Sequence, residues 1–236
     1  METPILQKIN SWQMFDEIAP RYDFLNHLLS FGLDIHWRRE LRRFLLPRQD
    51  QKILDLATGT AEVLIELCQN NFDIESACGI DLAQKMLDLG REKISQKGLT
   101  NIITLQHGDA KQIPFEENTF DHVSIAFGIR NVDDPSQVLN EMQRVLNPGG
   151  RALILEFSLP QNKLIRFVHL FYLRTIVPIL GAIFSGHYQA YRYLNQTIET
   201  FPYGQPFCAL MTKAKFQNVK ANALLFGVAT IYQGEK

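Results

Sequence analysis

Five apolar runs of strand length, separated by turns and helix-period stretches, dominate the middle of this chain and constrain its fold more than any other feature. They are Lys52–Leu56, Ser76–Ile80, Ile102–Leu105, Thr119–Ala126 and Arg151–Phe157. After the first comes the turn Ala57-Thr58-Gly59-Thr60, then Val63, Leu64 and Leu67 at helical spacing. Ala83–Lys97 reads as the next helix, with Gly98 as its C-terminal cap. A turn at Pro114–Asn118 leads into the fourth run, and Asp134 is placed to cap a helix whose first residue is Pro135. Val138, Leu139, Met142, Val145 and Leu146 form that helix's apolar stripe, and Asn147-Pro148-Gly149-Gly150 is a turn before the fifth strand. Strands alternating with helices predict an α/β fold, a doubly wound, mostly parallel sheet covered on both faces.

The flanking segments read differently. Residues 13–46 are helical, aromatic and basic, and Pro47–Gln51 reads as a linker. Residues 160–200 form a long helical insertion, and weaker strand signals lie at Val219–Ala223 and Gly227–Tyr232. A chain of 236 residues suits one domain with additions. Its expected parts are a helical cap at 1–50, a cofactor-binding core at 51–158, a lid at 159–205 and C-terminal strands at 206–236. A formal net charge of −1 provides no field that favours nucleic acid or anionic lipid. Cys68, Cys78 and Cys208 are widely spaced, so structural thiols are expected and a metal cluster is not. The N-terminus lacks the pattern of a signal peptide.

Leu164–Phe184 has the length of a membrane span but carries Arg166, His169 and Arg174. Each central arginine costs about 2.5–3.5 kcal/mol to insert, which argues against spanning. The three basic groups share a face of roughly 140°, leaving a broad apolar face for a core, a greasy substrate or a membrane surface.

The chemistry is expected at the carboxyl ends of the strands. Phe127-Gly128-Ile129-Arg130-Asn131-Val132 leaves the fourth strand there, so Arg130 and Asn131 are candidate catalytic residues. The alternative for Arg130 is a surface ion pair with Asp133 or Asp134. Gly59 stands without the further glycines of a dinucleotide fingerprint, and Glu62 would repel a pyrophosphate. Asp55, Asp81 and Asp109 lie at successive strand ends, with Ala110 after the last. Singly, each acid could simply cap an element. Together they suit a ligand with a ribose, an adenine and a cationic amino acid but no phosphate, which is S-adenosyl-L-methionine.

Several motifs resemble the ubiquinone/menaquinone biosynthesis C-methyltransferase family across nearly the whole chain. They are Met14-Phe15-Asp16-Glu17-Ile18-Ala19-Pro20-Arg21-Tyr22-Asp23, Trp37-Arg38-Arg39, Leu54-Asp55-Leu56-Ala57-Thr58-Gly59-Thr60, the loop at 127–132, Leu155-Glu156-Phe157-Ser158 and Tyr191-Arg192-Tyr193-Leu194. The resemblance implies a class I S-adenosylmethionine-dependent methyltransferase fold, seven-stranded with a reversed final strand pair. It implies methyl transfer to a ring carbon of a prenylated demethylquinol, with cofactor contacts at Thr60, Asp81, Asp109 and Ala110; Asp55 and Gly59 complete the expected cofactor set. The family usually has glycine and aspartate where Ala61 and Glu62 stand, so the methyl at 61 is expected to crowd the cofactor.

On this reading Arg130 stabilises the quinol oxyanion and Asn131 orients the ring hydroxyl. Asp121 and His122 point to opposite sides of their strand, so at most one could serve as the base. Tyr22, His187, Tyr188 and Tyr193 are candidates to cover the substrate. The acceptor is expected to be demethylmenaquinol, with a benzoquinol or another small molecule as the alternative. A non-catalytic S-adenosylmethionine-binding scaffold is the reading outside enzymes. Expected partners are the quinol, a membrane touched peripherally from the cytoplasm and a second copy of the chain.

Overall fold

The computed structural model describes residues 11–69, 73–185 and 188–236. The N-terminal part is helical, with α1 (Ser11–Leu29), α2 (Leu33–Glu40) and a short turn of helix at Leu41–Phe44. The core follows as β1 (Gln51–Leu56), α3 (Glu62–Cys68), β2 (Ile74–Asp81), α4 (Gln84–Gln96), β3 (Ile103–His107), β4 (Phe120–Ala126), α5 (Pro135–Val145) and β5 (Leu146–Phe157). The insertion is α6 (Lys163–Phe171), a π-helical stretch at Tyr172–Ile176, α7 (Val177–Ser185) and α8 (Tyr188–Thr200). The chain closes with α9 (Gln205–Lys213), β6 (Gln217–Leu224) and β7 (Ala229–Glu235).

The seven strands form one sheet in the order β3-β2-β1-β4-β5-β7-β6. β1 pairs in parallel with both β2 and β4, so the strand order reverses between β1 and β4 and opens a crevice at their carboxyl ends. The reversal expected of the last strand pair is carried by β7 alone. It runs antiparallel to both β5 and β6, which returns β6 to the common direction.

Side-chain alternation builds the two covered faces. Leu54 and Leu56 of β1 join Ile154 of β5 in a cluster with Val138, Leu139 and Met142 of α5. Ile53 and Leu153, one residue out of phase, join a second cluster with Trp37 of α2 and Leu64 of α3. A third cluster ties Leu25 of α1 to Leu173, Val177, Tyr191 and Ile198, fastening the insertion over the N-terminal helices. A Cβ built on Gly181 would lie 2.1 Å from the Tyr191 ring, so α7 and α8 can approach this closely only with glycine there.

The expected cap of α5 forms as read, with the Asp134 carboxylate accepting from the amides of Ser136 and Gln137. Three expectations need correction. Gln51 belongs to β1 rather than to the linker. The fifth strand begins at Leu146, which pairs with Phe120; the Asn147–Gly150 turn is a looped-out register break before pairing resumes at Arg151 opposite His122. Residues 206–236 are not strands alone, because α9 precedes β6. Pro206 stands in the first turn of α9, where proline is well tolerated.

Candidate active site

The turns after β1 and β4 meet at the switch point. Ala57, Gly59 and Ala61 after β1, and Phe127 after β4, all have positive φ (47°, 56°, 64° and 55°). For three of these four, an L side chain sits in the region glycine favours, a concentration of backbone strain typical of functional sites. A Cβ on Gly128 would lie 2.8 Å from the Ala57 Cβ, so the two turns can touch only because residue 128 is glycine.

Two cavities open where these turns meet. One, of about 370 Å³, is lined by Gly59, Asp81, Asp109 and Ala110 from the β1, β2 and β3 ends. The other, of about 260 Å³, is mostly apolar and lies between the sheet, α1, α2 and the helical insertion. Phe15, Tyr22, Phe127 and Asn131 line both, so the cavities meet at these side chains.

The first cavity has the chemistry of a cationic nucleoside site. Its wall carries Asp81, Asp109 and Asp133 against a single lysine, Lys111, which Asp133 already holds at 2.9 Å. Asp81 accepts from the Gly59 and Ala83 amides, each at 2.8 Å, bracing the glycine turn. Burial raises its pKa, and the Ala83 and Gly59 amides offset only part of that rise. Asn131 Oδ1 is buried without a hydrogen-bond partner, as an acceptor between the two cavities awaiting a donor. These features fit S-adenosylmethionine, whose sulfonium and ammonium carry positive charge and whose ribose offers hydroxyl donors.

The second cavity contains Arg130, 4% exposed. Its Nη1 donates to Glu156 Oε1 at 2.8 Å and to the Phe127 carbonyl, and its guanidinium carbon lies 5.2 Å from the Phe157 ring centre. Neither acid expected to pair with it on the surface does so: Asp133 binds Lys111 and Asp134 caps α5. The true partner, Glu156, lies at the end of β5 and is fully buried. A glutamate directly after the apolar run Ala152–Leu155 was the available signal for it.

The ubiE/COQ5 methyltransferase family model matches residues 6–236. This chain belongs to the ubiE/COQ5 methyltransferase family. The ubiquinone/menaquinone biosynthesis C-methyltransferase of Geobacter sulfurreducens is 44% identical over 94% of this chain and 87% of its own length. The demethylmenaquinone methyltransferases of Thermus thermophilus and Bacteroides fragilis are 42% and 39% identical, matching 94% and 95% of this chain and 100% and 91% of their own lengths. Among solved structures, an S-adenosylmethionine-dependent methyltransferase of Thermotoga maritima, a possible histamine N-methyltransferase, superposes with a TM-score of 0.66 at 18% identity, covering 95% of this chain and 99% of that one. One from Aquifex aeolicus superposes at 0.56 and 15% identity, covering 84% and 88%. The class I methyltransferase fold follows from the structural likenesses, and S-adenosylmethionine as methyl donor from membership of the methyltransferase family.

In this methyltransferase not every expected cofactor residue reaches the cleft wall. Gly59, Asp81, Asp109 and Ala110 do, whereas Asp55 and Thr60 do not. Thr60 Oγ1 donates to Asp23 of α1 at 2.7 Å and accepts from Lys93, which also binds Asp23 and Glu62. Glu62 is thereby turned to a lysine rather than to the cleft, and this network fastens α1 to the core. Ala61 is fully buried within the second core cluster and is likewise absent from the cleft wall.

Asp55 is 1% exposed and accepts from the Ser124 hydroxyl at 2.6 Å. Burial pushes its pKa up from 3.8 to about 7. Between those values the unfolded chain loses this proton before the folded one, so stability falls as pH rises through the window and levels above it. Asp55→Asn is therefore expected to gain stability over the wild type progressively from pH 3.8 to about 7 and no further above it, read by urea unfolding across pH. A difference constant with pH would contradict the assignment.

His122 and Asp121 lie near the start of β4, far from the loop that follows it. His122 is fully buried, bonded to Gln51 and to the Leu46 amide, and burial lowers its pKa to about 4. Asp121 accepts from the Lys52 amide and from Asn147. Neither is a base for the site. Tyr22 lines both cavities and Tyr193 the apolar one, and burial raises the pKa of both, keeping the phenols protonated. His187 lies outside the described residues, as does the side chain of Tyr188.

Proposed function

We propose that this enzyme transfers the methyl group of S-adenosylmethionine to a ring carbon of demethylmenaquinol, yielding menaquinol, and draws that substrate from the surface of a membrane. Its coarse activity is S-adenosylmethionine-dependent C-methylation in quinone biosynthesis. The observation that carries the reading is the junction of an acidic cleft with an apolar cavity at Phe127 and Asn131, with Arg130 buried on the apolar side. The relatives called demethylmenaquinone methyltransferases support the naphthoquinol over a benzoquinol.

A ring carbon becomes nucleophilic when the adjacent hydroxyl loses its proton, and phenols titrate near pH 10. Arg130 favours the oxyanion through guanidinium donors that its bond to Glu156 leaves free. Asn131 presents its unpartnered Oδ1 to a ring hydroxyl at the junction. Asp81, Asp109, Ala110 and Gly59 hold the methyl donor, which supplies an electrophilic methyl group. The segments 11–50 and 159–205 act as cap and lid, excluding water from the ring.

The prenyl tail gives the apolar surface a purpose. Leu164, Phe167, Val168 and Phe171 on α6 and Ile183 on α7 are more than half exposed, as are Phe31 and Phe226. Phe31 also lines the apolar cavity, and its ring packs 5.9 Å from that of Tyr172 in the insertion. Within Lys163–Phe184, an 18-residue stretch has a mean hydropathy of 1.8, and the segment has the length to cross a membrane. Its arginines are engaged with the protein body instead: Arg174 pairs with Glu199 of α8, and Arg166 bonds the Pro160 carbonyl and Tyr203. A helix pinned in this way, apolar on its outer face, suits lying on a bilayer.

A competition assay between demethylmenaquinol and the corresponding demethylbenzoquinol tests the substrate, with preferential methylation of the naphthoquinol expected. Equal or reversed preference would overturn that choice. Phe167→Glu/Phe171→Glu is expected to abolish co-sedimentation with liposomes and to raise KM for the membrane-borne quinol, while kcat on a tail-less quinol stays at the wild-type value. Each buried CH2 of the tail contributes about 0.8 kcal/mol, so long-tail quinols should bind more tightly than tail-less ones. Equal affinity for both would remove the tail from the reading.

A further inference from the structure

The apolar cavity holds a second buried arginine to which the methyl-transfer chemistry gives no role. Arg38 of α2 lines the cavity and is 6% exposed. Its Nη1 donates to Asp34 Oδ2 at 2.5 Å, and that same oxygen is bonded by His27 Nδ1 at 2.8 Å. Asp34 Oδ1 accepts from Ser30 at 2.6 Å. The carboxylate is therefore fully engaged and holds the guanidinium in one place, as Glu156 holds Arg130.

The two guanidiniums flank one aromatic wall. The Arg38 guanidinium carbon lies 5.9 Å from the Phe127 ring centre, and that of Arg130 lies 5.2 Å from the Phe157 ring centre. The Phe127 and Phe157 rings are 4.5 Å apart, and the Trp37 indole lies 6.1 Å from each. All three rings line the cavity. A flat aromatic substrate held in this cavity would share its lining with both buried guanidiniums. A guanidinium carries five N–H donors, so bonding its carboxylate leaves donors free for a further acceptor.

The geometry points to Arg38 as a substrate-binding residue that takes the ring oxygen opposite the one stabilised by Arg130, so that the site selects aromatic rings bearing two para oxygens. This rests on the quinol reading above. It explains why a cavity built for an apolar tail should contain two buried arginine–carboxylate pairs, each costly to desolvate. Because Asp34 neutralises Arg38, its contribution is a directed hydrogen bond rather than an unbalanced charge.

The experiment is a cycle between residue and substrate. The substrates are a prenylated demethylquinol and its analogue lacking only the oxygen para to the reacting hydroxyl. The proteins are the wild type and Asp34→Asn/Arg38→Met, which removes the buried pair together. The wild type is expected to lose about 10- to 100-fold in kcat/KM on the analogue, the range for a charge-assisted hydrogen bond. The double variant is expected to lose that factor on the quinol and nothing further on the analogue. Calorimetry with S-adenosylmethionine should give the wild-type Kd for both proteins. If the variant is too slow to assay, the Kd of each methylated product completes the same cycle. Equal losses on both substrates would overturn the role of Arg38. Failure of the wild type to methylate any quinol would instead overturn the quinol reading.

Discussion

Arg130→Lys is expected to lower kcat on demethylmenaquinol by about 10²- to 10³-fold, the usual consequence of losing one preorganised donor to a developing oxyanion. The charge survives this substitution, but the planar fork does not. In the wild type, Nη1 bonds both Glu156 and the Phe127 carbonyl, which orients the rest of the guanidinium in the cavity. Lysine offers a flexible point charge that Glu156 can draw away from the substrate. Since the side chain lines the apolar cavity and not the acidic one, the Kd for S-adenosylmethionine should not change. Steady-state kinetics with calorimetry separates the two quantities. Wild-type turnover in the lysine variant would show that Arg130 is not the oxyanion's partner.

Glu156→Ala is expected to destabilise the fold by about 3–5 kcal/mol, because it strands a buried arginine charge. Glu156 is fully buried and accepts from Arg130 and from the Phe157 amide, both at 2.8 Å. Removing both charges, as in Arg130→Met/Glu156→Gln, should recover most of the loss, since the desolvation of each ion disappears with it. Urea unfolding of the single and double variants reads this directly. A cost below about 1 kcal/mol for the single variant would mean that water reaches the pair and that Arg130 is not held as described.

These two predictions involve residues 26 positions apart in the chain, and that separation marks the limit of reading the sequence alone. The β1–α3–β2–α4 alternation, the cap of α5 and the left-handed Gly98 were all legible, because each depends on near neighbours. The acids at the β2 and β3 ends and the loop after β4 were also legible, since an open parallel sheet carries its site at the carboxyl ends of its strands. The start of β5 and the presence of α9 were not. A proline and glycines signal a break locally, and only pairing with β4 and packing under β7 assign them to a strand and a helix.

What the sequence determined by itself was a doubly wound sheet, with Asp81, Asp109 and the loop of Arg130 and Asn131 at the carboxyl ends of its strands. Those follow from periodicity and from where an α/β sheet places its loops. Only the tertiary structure decided which ions face which. It gave Arg130 to Glu156 and Arg38 to Asp34, turned Glu62 and Thr60 to Lys93 and Asp23, and kept Asp55 off the cleft wall. The physical reason is that a buried charge must find its partner among whatever the packed helices and strands bring within about 3 Å, and sequence distance does not encode that proximity.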